Sequence, residues 1–235
     1  MAQDKLTAIP RMSPNAPNLH VRMATADELP KLLDIALESF GHNPYSQAIF
    51  SNATDEERLT QGRRWREDRY RANFEKPGQH YLVVVQAPSN KGDREEIAGW
   101  ALWQQPRTEV DPDAAGGQTP KTVAPLPSII NGQAIEARER ALTDAYKKAF
   151  GEDGMRRMWA ADIVVVDPRH RRKGVGSMLM RWGLDKAKKS ETDAYIVATD
   201  IGRDMYLTVG FQDVFRFWTG VDYNWLMVWR RNMEI

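Results

Sequence analysis

The sequence of 235 residues contains no cysteine, and this absence removes several kinds of chemistry at once. Without cysteine, a disulfide framework, a thiolate nucleophile and a zinc site with sulfur ligands are all excluded. The histidines are also few and scattered, and no H-E-x-x-H or similar ligand spacing joins them: His20, His42, His80 and His170. We therefore expect no metal ion.

The chain also lacks an excess of charge of one sign and any long apolar run. Lysine and arginine total 33 against 32 acidic residues, so the net charge of +1 predicts no nucleic-acid or anionic membrane partner. No run approaches the roughly 18 apolar residues of a membrane-spanning helix. Residues 1–18 are polar and contain three prolines, without the apolar stretch of a signal peptide. We expect a flexible N-terminal segment over 1–18 and a cytoplasmic location.

Apolar residues make up 42% of the chain, enough for a sizeable core, and their spacing predicts the secondary structure. Alternating or continuous apolar stretches predict strands over 20–25, 80–88, 95–105, 158–166, 194–199, 211–218 and 224–231. Helical spacing predicts helices over 26–40, 55–75, 132–150, 177–189 and about 202–209. Residues 106–132 hold five prolines and predict an irregular loop.

This order mixes helices with strands, with hairpins early and late and a β-α-β unit between them. Such an order predicts an α/β (α+β) domain with a mixed sheet and helices on both of its faces.

The segment 161–189 predicts an anion-binding turn. A buried strand runs into Asp-Pro, and the basic run RHRRK, Gly174 and Gly176 follow before a helix begins. The first N–H groups of a helix have no partner within it, and the helix dipole adds partial positive charge. Glycines let a phosphate approach the backbone closely. The turn therefore has the chemistry to hold a diphosphate, although a solvated basic turn is the plainer alternative.

Two widespread phosphate motifs do not fit this turn. The P-loop pattern G-x-x-x-x-G-K-[ST] is absent, and the dinucleotide pattern G-x-G-x-x-G fails because Leu179 stands at its third glycine. The stretch from Arg171 to Gly176 instead matches [QR]-x-x-G-x-[GA] after a strand and Asp-Pro. This pattern is the acetyl-CoA signature of the GNAT superfamily of N-acetyltransferases, which the chain resembles here.

A second stretch carries the same resemblance. Thr199 and Gly202 precede Tyr206, and Gly210-Phe211 follow at the family's spacing, with Met205 where leucine is usual. The two motifs cover residues 158–211, and the order of elements extends the resemblance to about 20–231. It implies one GNAT acetyltransferase domain over 19–235, with a mostly antiparallel sheet of about seven strands. The insertion at about 106–150 resembles the one found in the branch of the family that includes puromycin acetyltransferase.

The resemblance implies acetyl-CoA as co-substrate and direct transfer of its acetyl group to an amine. The backbone of Val164, Val165 and Val166 would hold the pantetheine arm, where the family's strand splays from its neighbour. The pyrophosphate would lie on the N–H groups of Arg171, Arg172, Lys173, Gly174, Val175, Gly176 and Ser177. Thr199, in the second motif, completes the expected cofactor-binding residues. The alternative interpretation is that these valines are plain core. Both interpretations can be true, because the side chains pack while the backbone binds the pantetheine arm.

Two residues are the candidates for proton transfer. Tyr206 stands at the family's general-acid position, and a phenol keeps its proton at neutral pH and can donate it to the departing thiolate. Asp162 is the only charge in the strand WAADIVVV. We expect burial to raise the pKa of its carboxyl and make it a candidate base. The alternatives are a core tyrosine and a structural carboxylate, and a water relay is a third way to deprotonate the amine.

The acceptor site is expected opposite the cofactor, between the first two helices and the late strands. Its candidate lining is aromatic: Phe40, Tyr45, Phe50, Trp103, Phe217 and Trp218. Such a wall favours a small hydrophobic amine over a polyamine, which would need a cluster of carboxylates. The alternative functions are acetylation of a protein's lysine or N-terminus and cofactor binding without catalysis. The oligomeric state stays open between monomer and homodimer.

Overall fold

The computed structural model describes residues 18–88, 95–107 and 125–232. The expected flexible segment 1–18 therefore lies almost wholly outside the described residues, as does most of the predicted loop over 106–132. None of the helices in the described ranges is long and apolar enough to cross a membrane.

Seven strands and seven α-helices are present in the described ranges. The strands are β1 (Leu19–Met23), β2 (Gln79–Gln86), β3 (Glu96–Gln104), β4 (Trp159–Val166), β5 (Ala194–Thr199), β6 (Gln212–Trp218) and β7 (Tyr223–Trp229). The α-helices are α1 (Leu29–Phe40), α2 (Pro44–Ile49), α3 (Asp55–Glu57), α4 (Arg63–Phe74), α5 (Gly132–Phe150), α6 (Val175–Lys189) and α7 (Asp200–Thr208). A π-helical segment, Arg58–Gly62, joins α3 to α4.

The strands form one sheet in the order β1-β2-β3-β4-β5-β7-β6. Only β4 and β5 run parallel, and every other neighbouring pair is antiparallel. The expectation of a mixed, mostly antiparallel sheet of about seven strands is confirmed. A parallel pair needs a crossover, and α6 supplies it between β4 and β5.

Helices cover both faces of the sheet, as the sequence predicted. On the first face, α6 and α7 pack on a core that includes Trp103, Leu179 and Phe211. On the second face, α1 packs on Trp100 and Val165, while α5 packs on Tyr195 further along the sheet. The second face therefore carries two separate apolar clusters, and the gap between them lies over β4.

The predicted element boundaries hold to within a few residues, with one omission. Helix α2 was not predicted, although Asn43 caps it by accepting a hydrogen bond from the Ser46 N–H and Pro44 occupies its first turn. Six residues are too few for a clear apolar period, so only the capping residues signalled this helix. Helix α6 begins at Val175, two residues before its predicted start.

Trp103 and Gly183 fix the distance between the sheet and α6. The Trp103 side chain is fully buried, and its Nε1 donates to the Leu179 carbonyl at 3.2 Å. A Cβ built on Gly183 would lie 2.1 Å from the Trp103 ring. The absence of a side chain at Gly183 therefore lets the helix lie on the indole.

We predict that Gly183→Ala lowers the free energy of unfolding by about 1–3 kcal/mol, because the added methyl overpacks a closed site. This loss outweighs the gain of up to about 1 kcal/mol in helix propensity. Urea denaturation measures the change, and Asp185→Ala on the exposed face of α6 is the control, with an expected change of less than about 0.5 kcal/mol. Equal stability of Gly183→Ala and the unmutated chain would contradict this packing.

Candidate active site

A β-bulge in β4 places Asp162 outside the regular ladder. Leu102 of β3 pairs with Ile163, but the next residue, Trp103, pairs with Ala161, so Asp162 is the extra residue. A regular strand would place Ala161 and Ile163 on the same face. They pack on opposite faces instead, because the bulge changes the phase of the strand.

Strand β4 also leaves its parallel neighbour at this point. Its pairing with β5 covers only Trp159, Ala160 and Ala161. Beyond the bulge, residues 163–166 still pair with β3 but have no partner in β5. Backbone groups of Val164 and Val166 therefore face a gap between two strands, and the Val166 carbonyl accepts a bond from the Ser39 hydroxyl at 3.3 Å. The expected splay of this strand is present.

The Asp162 carboxyl lies between the two apolar clusters of the second face. Contrary to the expectation of burial, the residue is exposed to solvent, because the bulge turns it out of the core. Protein atoms nevertheless surround its other sides. This desolvation raises the pKa of the carboxyl, while a Gln104 hydrogen bond and the charges of Arg138 and Arg69 oppose the rise. The predicted direction of the pKa shift therefore holds without full burial.

Four tyrosines surround Asp162, two from each cluster: Tyr70, Tyr81, Tyr146 and Tyr195. Desolvation raises the pKa of each hydroxyl, to about 12 for Tyr70, and the charge of Asp162 adds to each rise. Tyr146 and Tyr195 meet edge to face at 5.3 Å, and Tyr70 meets Trp100 at 5.5 Å. All four phenols keep their protons at neutral pH, so they offer polar contacts without charge.

The turn before α6 has the geometry of an anion site. Arg172 and Gly174 adopt left-handed conformations, with φ of 61° and 83°, and Gly174 is the N-cap of the helix. Left-handed residues within a turn direct successive N–H groups into one concavity, a common arrangement around anions. A non-glycine residue such as Arg172 adopts this conformation at a cost in free energy, which is typical of functional sites.

The N–H groups of residues 171–177 have no acceptor within the described part of the chain. The first bond of α6 runs from the Met178 N–H to the Gly174 carbonyl at 3.0 Å. The side chains of Arg171, Arg172 and Lys173 are exposed, and none forms an ion pair with a described carboxylate. Seven unpaired donors and three cations thus coincide, and this set fits a diphosphate.

The residues just before the turn hold it in place and do not contribute to the anion site. The buried Asp167 carboxylate accepts hydrogen bonds from the backbone and side chain of Arg169, the shortest at 2.7 Å. Burial opposes ionisation, but these bonds prevail and hold the pKa of Asp167 below its usual range. His170, in the same basic run, is buried with its Nε2 3.5 Å from a Glu96 oxygen.

Tyr206 lies on the first face of the sheet, in α7. The side chain is 7% exposed, and its ring meets Phe211 edge to face at 6.1 Å. Its hydroxyl donates no hydrogen bond to a described residue, and burial raises its pKa. The hydroxyl therefore remains protonated and available to an external acceptor. Thr199 accepts from the Gly202 N–H at 3.3 Å and caps α7, so its side chain first serves the helix that carries Tyr206.

Two of the aromatic residues expected to line the acceptor site are buried elsewhere. Trp103 lies beneath α6 on the opposite face from Asp162, and Phe50 is 2% exposed in a separate cluster with Trp65. Tyr45 and Phe217 are partly buried, Phe40 is 37% exposed, and Trp218 is exposed at the β6–β7 turn. Apolar periodicity reports burial, but it does not report which face of the sheet a side chain covers.

The tyrosines around Asp162 and the arginines of α4 were not predicted as site residues. The run RRWREDRYR is typical of a solvated helix face, yet Arg66 and Tyr70 point inward. The signal that was available is their spacing of four, which puts both on one helix face. No cluster of three or more possible metal ligands lies among the described residues.

Comparison with known proteins agrees with this fold. Residues 149–211, which include β4, the anion turn and α7, match the acetyltransferase (GNAT) family. A protein named acetyltransferase from Stachybotrys chartarum is 22% identical over 213 residues, covering 85% of this chain and 83% of its own.

Solved structures of low sequence identity share the fold. Arylalkylamine N-acetyltransferase 2 from Aedes aegypti superposes with a TM-score of 0.60 at 15% identity, covering 92% of this chain and 100% of its own. A structure from Corynebacterium glutamicum titled histone acetyltransferase HPA2 and related acetyltransferase has a TM-score of 0.55 at 19% identity, covering 92% and 98%. The narrower likeness to the puromycin acetyltransferase branch stays a prediction. Residues 149–211 therefore match the GNAT acetyltransferase family, and the chain shares the fold of these two solved structures.

Proposed function

We propose that the protein transfers the acetyl group of acetyl-CoA directly to the primary amine of a small molecule. One observation carries this proposal: β4 leaves β5 at the Asp162 bulge and then runs to a turn with seven unpaired N–H groups. The gap between the strands opens at the carboxyl end of β4, where an extended ligand can lie along backbone groups with its diphosphate on the turn.

We assign acetyl-CoA, the acetyl donor, to the first face of the sheet and to the part of β4 that has no partner in β5. The backbone of Val164 and Val166 offers hydrogen bonds to amide groups of a pantetheine arm, while Val165 packs inward against α1. The turn from Arg171 to Ser177 would hold the pyrophosphate. Tyr206 would donate its proton to the departing thiolate, since a phenol of raised pKa is a hydrogen-bond donor at neutral pH.

The acceptor side is assigned to the second face around Asp162. A carboxyl whose pKa is raised is better matched to taking a proton from an alkyl ammonium near neutral pH than an ordinary aspartate. Its solvent exposure also leaves room for a water molecule between carboxylate and amine, so direct and water-relayed transfer both fit this site. The four tyrosines enclose the space in front of it.

A small amine suits this enclosed position better than a protein chain does. The described neighbours of Asp162 come from α4, α5, β2, β3 and β5, so five elements border the space around the carboxyl. The arylalkylamine N-acetyltransferase of Aedes aegypti has the same fold. The similar structure from Corynebacterium glutamicum is titled a histone acetyltransferase, so a protein acceptor remains the alternative.

We predict that Gly176→Glu abolishes acetyl-CoA binding, because a side chain and a negative charge enter the amide turn. The fold should tolerate it, since an added Cβ meets only Met205 at 3.4 Å and an acidic residue suits a helix N-terminus. Calorimetric titration measures the affinity. Arg181→Gln, on an exposed position of the same helix, changes the net charge equally and should bind normally. Normal binding by Gly176→Glu would remove the turn from the site.

We predict that Tyr206→Phe lowers kcat by about 10²- to 10⁴-fold while the affinity for acetyl-CoA is retained, because only the donated proton is lost. The measurement is release of free thiol at saturating acetyl-CoA with a primary arylalkylamine as acceptor. Tyr223→Phe, on an exposed residue, is the matched control and should retain full activity. Unchanged kcat in Tyr206→Phe would show that the thiolate obtains its proton elsewhere.

We predict that Asp162→Asn raises the unfolding temperature at pH 7.5, because it removes a carboxylate whose charged form the folded state disfavours. A raised pKa penalises the folded state only above the unfolded pKa, so this gain should shrink as the pH falls and vanish below about 3.8. Thermal unfolding from pH 4.5 to 8 measures it. Asp185→Asn controls for loss of one negative charge. Lower stability of Asp162→Asn at pH 7.5 would indicate a structural carboxylate.

A further inference from the structure

Three arginines approach the acceptor side of the site from two helices. Arg66 and Arg69 lie on α4, and Arg138 lies on α5. All three lower the pKa of the Tyr45 hydroxyl against the effect of its burial, so their charges converge near that residue. Arg69 and Arg138 also act on the Asp162 carboxyl. The positive charges and the candidate base therefore share one region.

Arg66 is the most constrained of the three. Its guanidinium lies 4.1 Å from the centre of the Phe50 ring and donates to the Ser46 hydroxyl. Desolvation lowers its pKa, and no described carboxylate lies within ion-pair distance. A guanidinium held out of water without an anion is costly. The site is therefore arranged as if an external anion completes it.

The other two arginines are only weakly neutralised. Arg69 lies 4.9 Å from the Trp65 ring, and it has no ion pair with any carboxylate in the described ranges. Arg138 lies 4.6 Å from the Tyr45 ring, and its carboxylate partner, Asp222, is 4.0 Å away. The same Asp222 oxygen is already engaged by the Thr219 hydroxyl. The other nearby carboxylate, Glu139, is exposed and raises the pKa of Tyr45.

We propose that the acceptor amine carries an anionic group, a carboxylate or a phosphate, that Arg66, Arg69 and Arg138 bind while Asp162 faces the amine. This proposal rests on the proposed function and names its substrate class. The planar fork of a guanidinium matches both anions and binds them through two parallel hydrogen bonds. The tyrosines around Asp162 contact the skeleton between the two charged ends. A second ammonium on the acceptor would meet three positive charges, so diamines and polyamines are disfavoured.

The test uses three acceptors that share one skeleton and differ in the charge at the far end. Benzylamine is neutral there, 4-(aminomethyl)benzoate is anionic and p-xylylenediamine is cationic. Release of free thiol from acetyl-CoA gives kcat/KM for each. We expect 4-(aminomethyl)benzoate to exceed benzylamine by about tenfold or more, as expected for hydrogen bonds to a charged group, and p-xylylenediamine to fall below benzylamine. The ratio of kcat/KM for phosphoethanolamine over ethanolamine gives the preference for a phosphate. Comparing it with the ratio for 4-(aminomethyl)benzoate over benzylamine distinguishes phosphate from carboxylate as the preferred anion.

Variants locate the effect. Arg66→Gln should bring the ratio of kcat/KM for 4-(aminomethyl)benzoate over benzylamine close to one, mainly through KM. Arg69→Gln, on an exposed residue whose change does not disturb the core, should lower the same ratio if Arg66→Gln fails to fold. Arg64→Gln removes an exposed charge from the same helix and should leave the ratio unchanged.

Three results would overturn the proposal in distinguishable ways. Equal kcat/KM for benzylamine and 4-(aminomethyl)benzoate would overturn the anionic acceptor and leave the small-molecule acetyltransferase standing. Acetyl-CoA binding without transfer to any of these amines would overturn the small-molecule function, and the anionic acceptor with it. A charge preference that Arg66→Gln and Arg69→Gln both retain would place the anion elsewhere.

Discussion

The single extra residue in β4 is the constraint on which the rest of the site depends. Before Asp162 the strand pairs with both β3 and β5, and after it the strand pairs with β3 alone. The bulge increases the local twist and changes which face each later residue covers. It thereby turns a carboxyl out of a buried strand and opens the sheet beside Val164 and Val166. Both consequences come from the same bulge, so the Asp162 side chain lies directly beside the backbone that has no partner in β5.

The gap in the sheet connects two different chemical environments. On the first face, α6 and α7 contribute the amide turn and Tyr206, which are suited to an anion and to proton donation. On the second face, α4 and α5 contribute tyrosines and arginines around a carboxyl of raised pKa. A bond made between a donor on one face and an acceptor on the other must form at the gap. Under the proposed function, the fold keeps the two substrates apart everywhere except at the reacting atoms, which suits direct transfer without a covalent enzyme intermediate.

The arginines of α4 change the interpretation of that helix. Its composition suggested a solvated face, since most arginines in a highly charged helix are exposed. In the structure Arg63 pairs with Asp34 at 2.6 Å and Arg71 pairs with Glu67 at 3.3 Å, as that interpretation requires. Arg66 instead packs on an aromatic ring, and no carboxylate in the described ranges pairs with it. One helix thus carries both surface ion pairs and a desolvated cation, and the two roles differ only in which way each side chain faces.

The sequence alone determined most of the elements, the mixed sheet and the glycine turn before α6, because these depend on local information. Apolar period sets strands and helices, and a glycine turn between a strand and a helix exposes N–H groups in any surrounding structure. Tertiary structure alone decided that Trp103 and Phe50 are core, that Asp162 is exposed on a bulge, and that the tyrosines, Arg69 and Arg138 lie around it. A bulge is one residue of register between distant strands, and the face that a residue covers depends on that register. No local pattern carries this information.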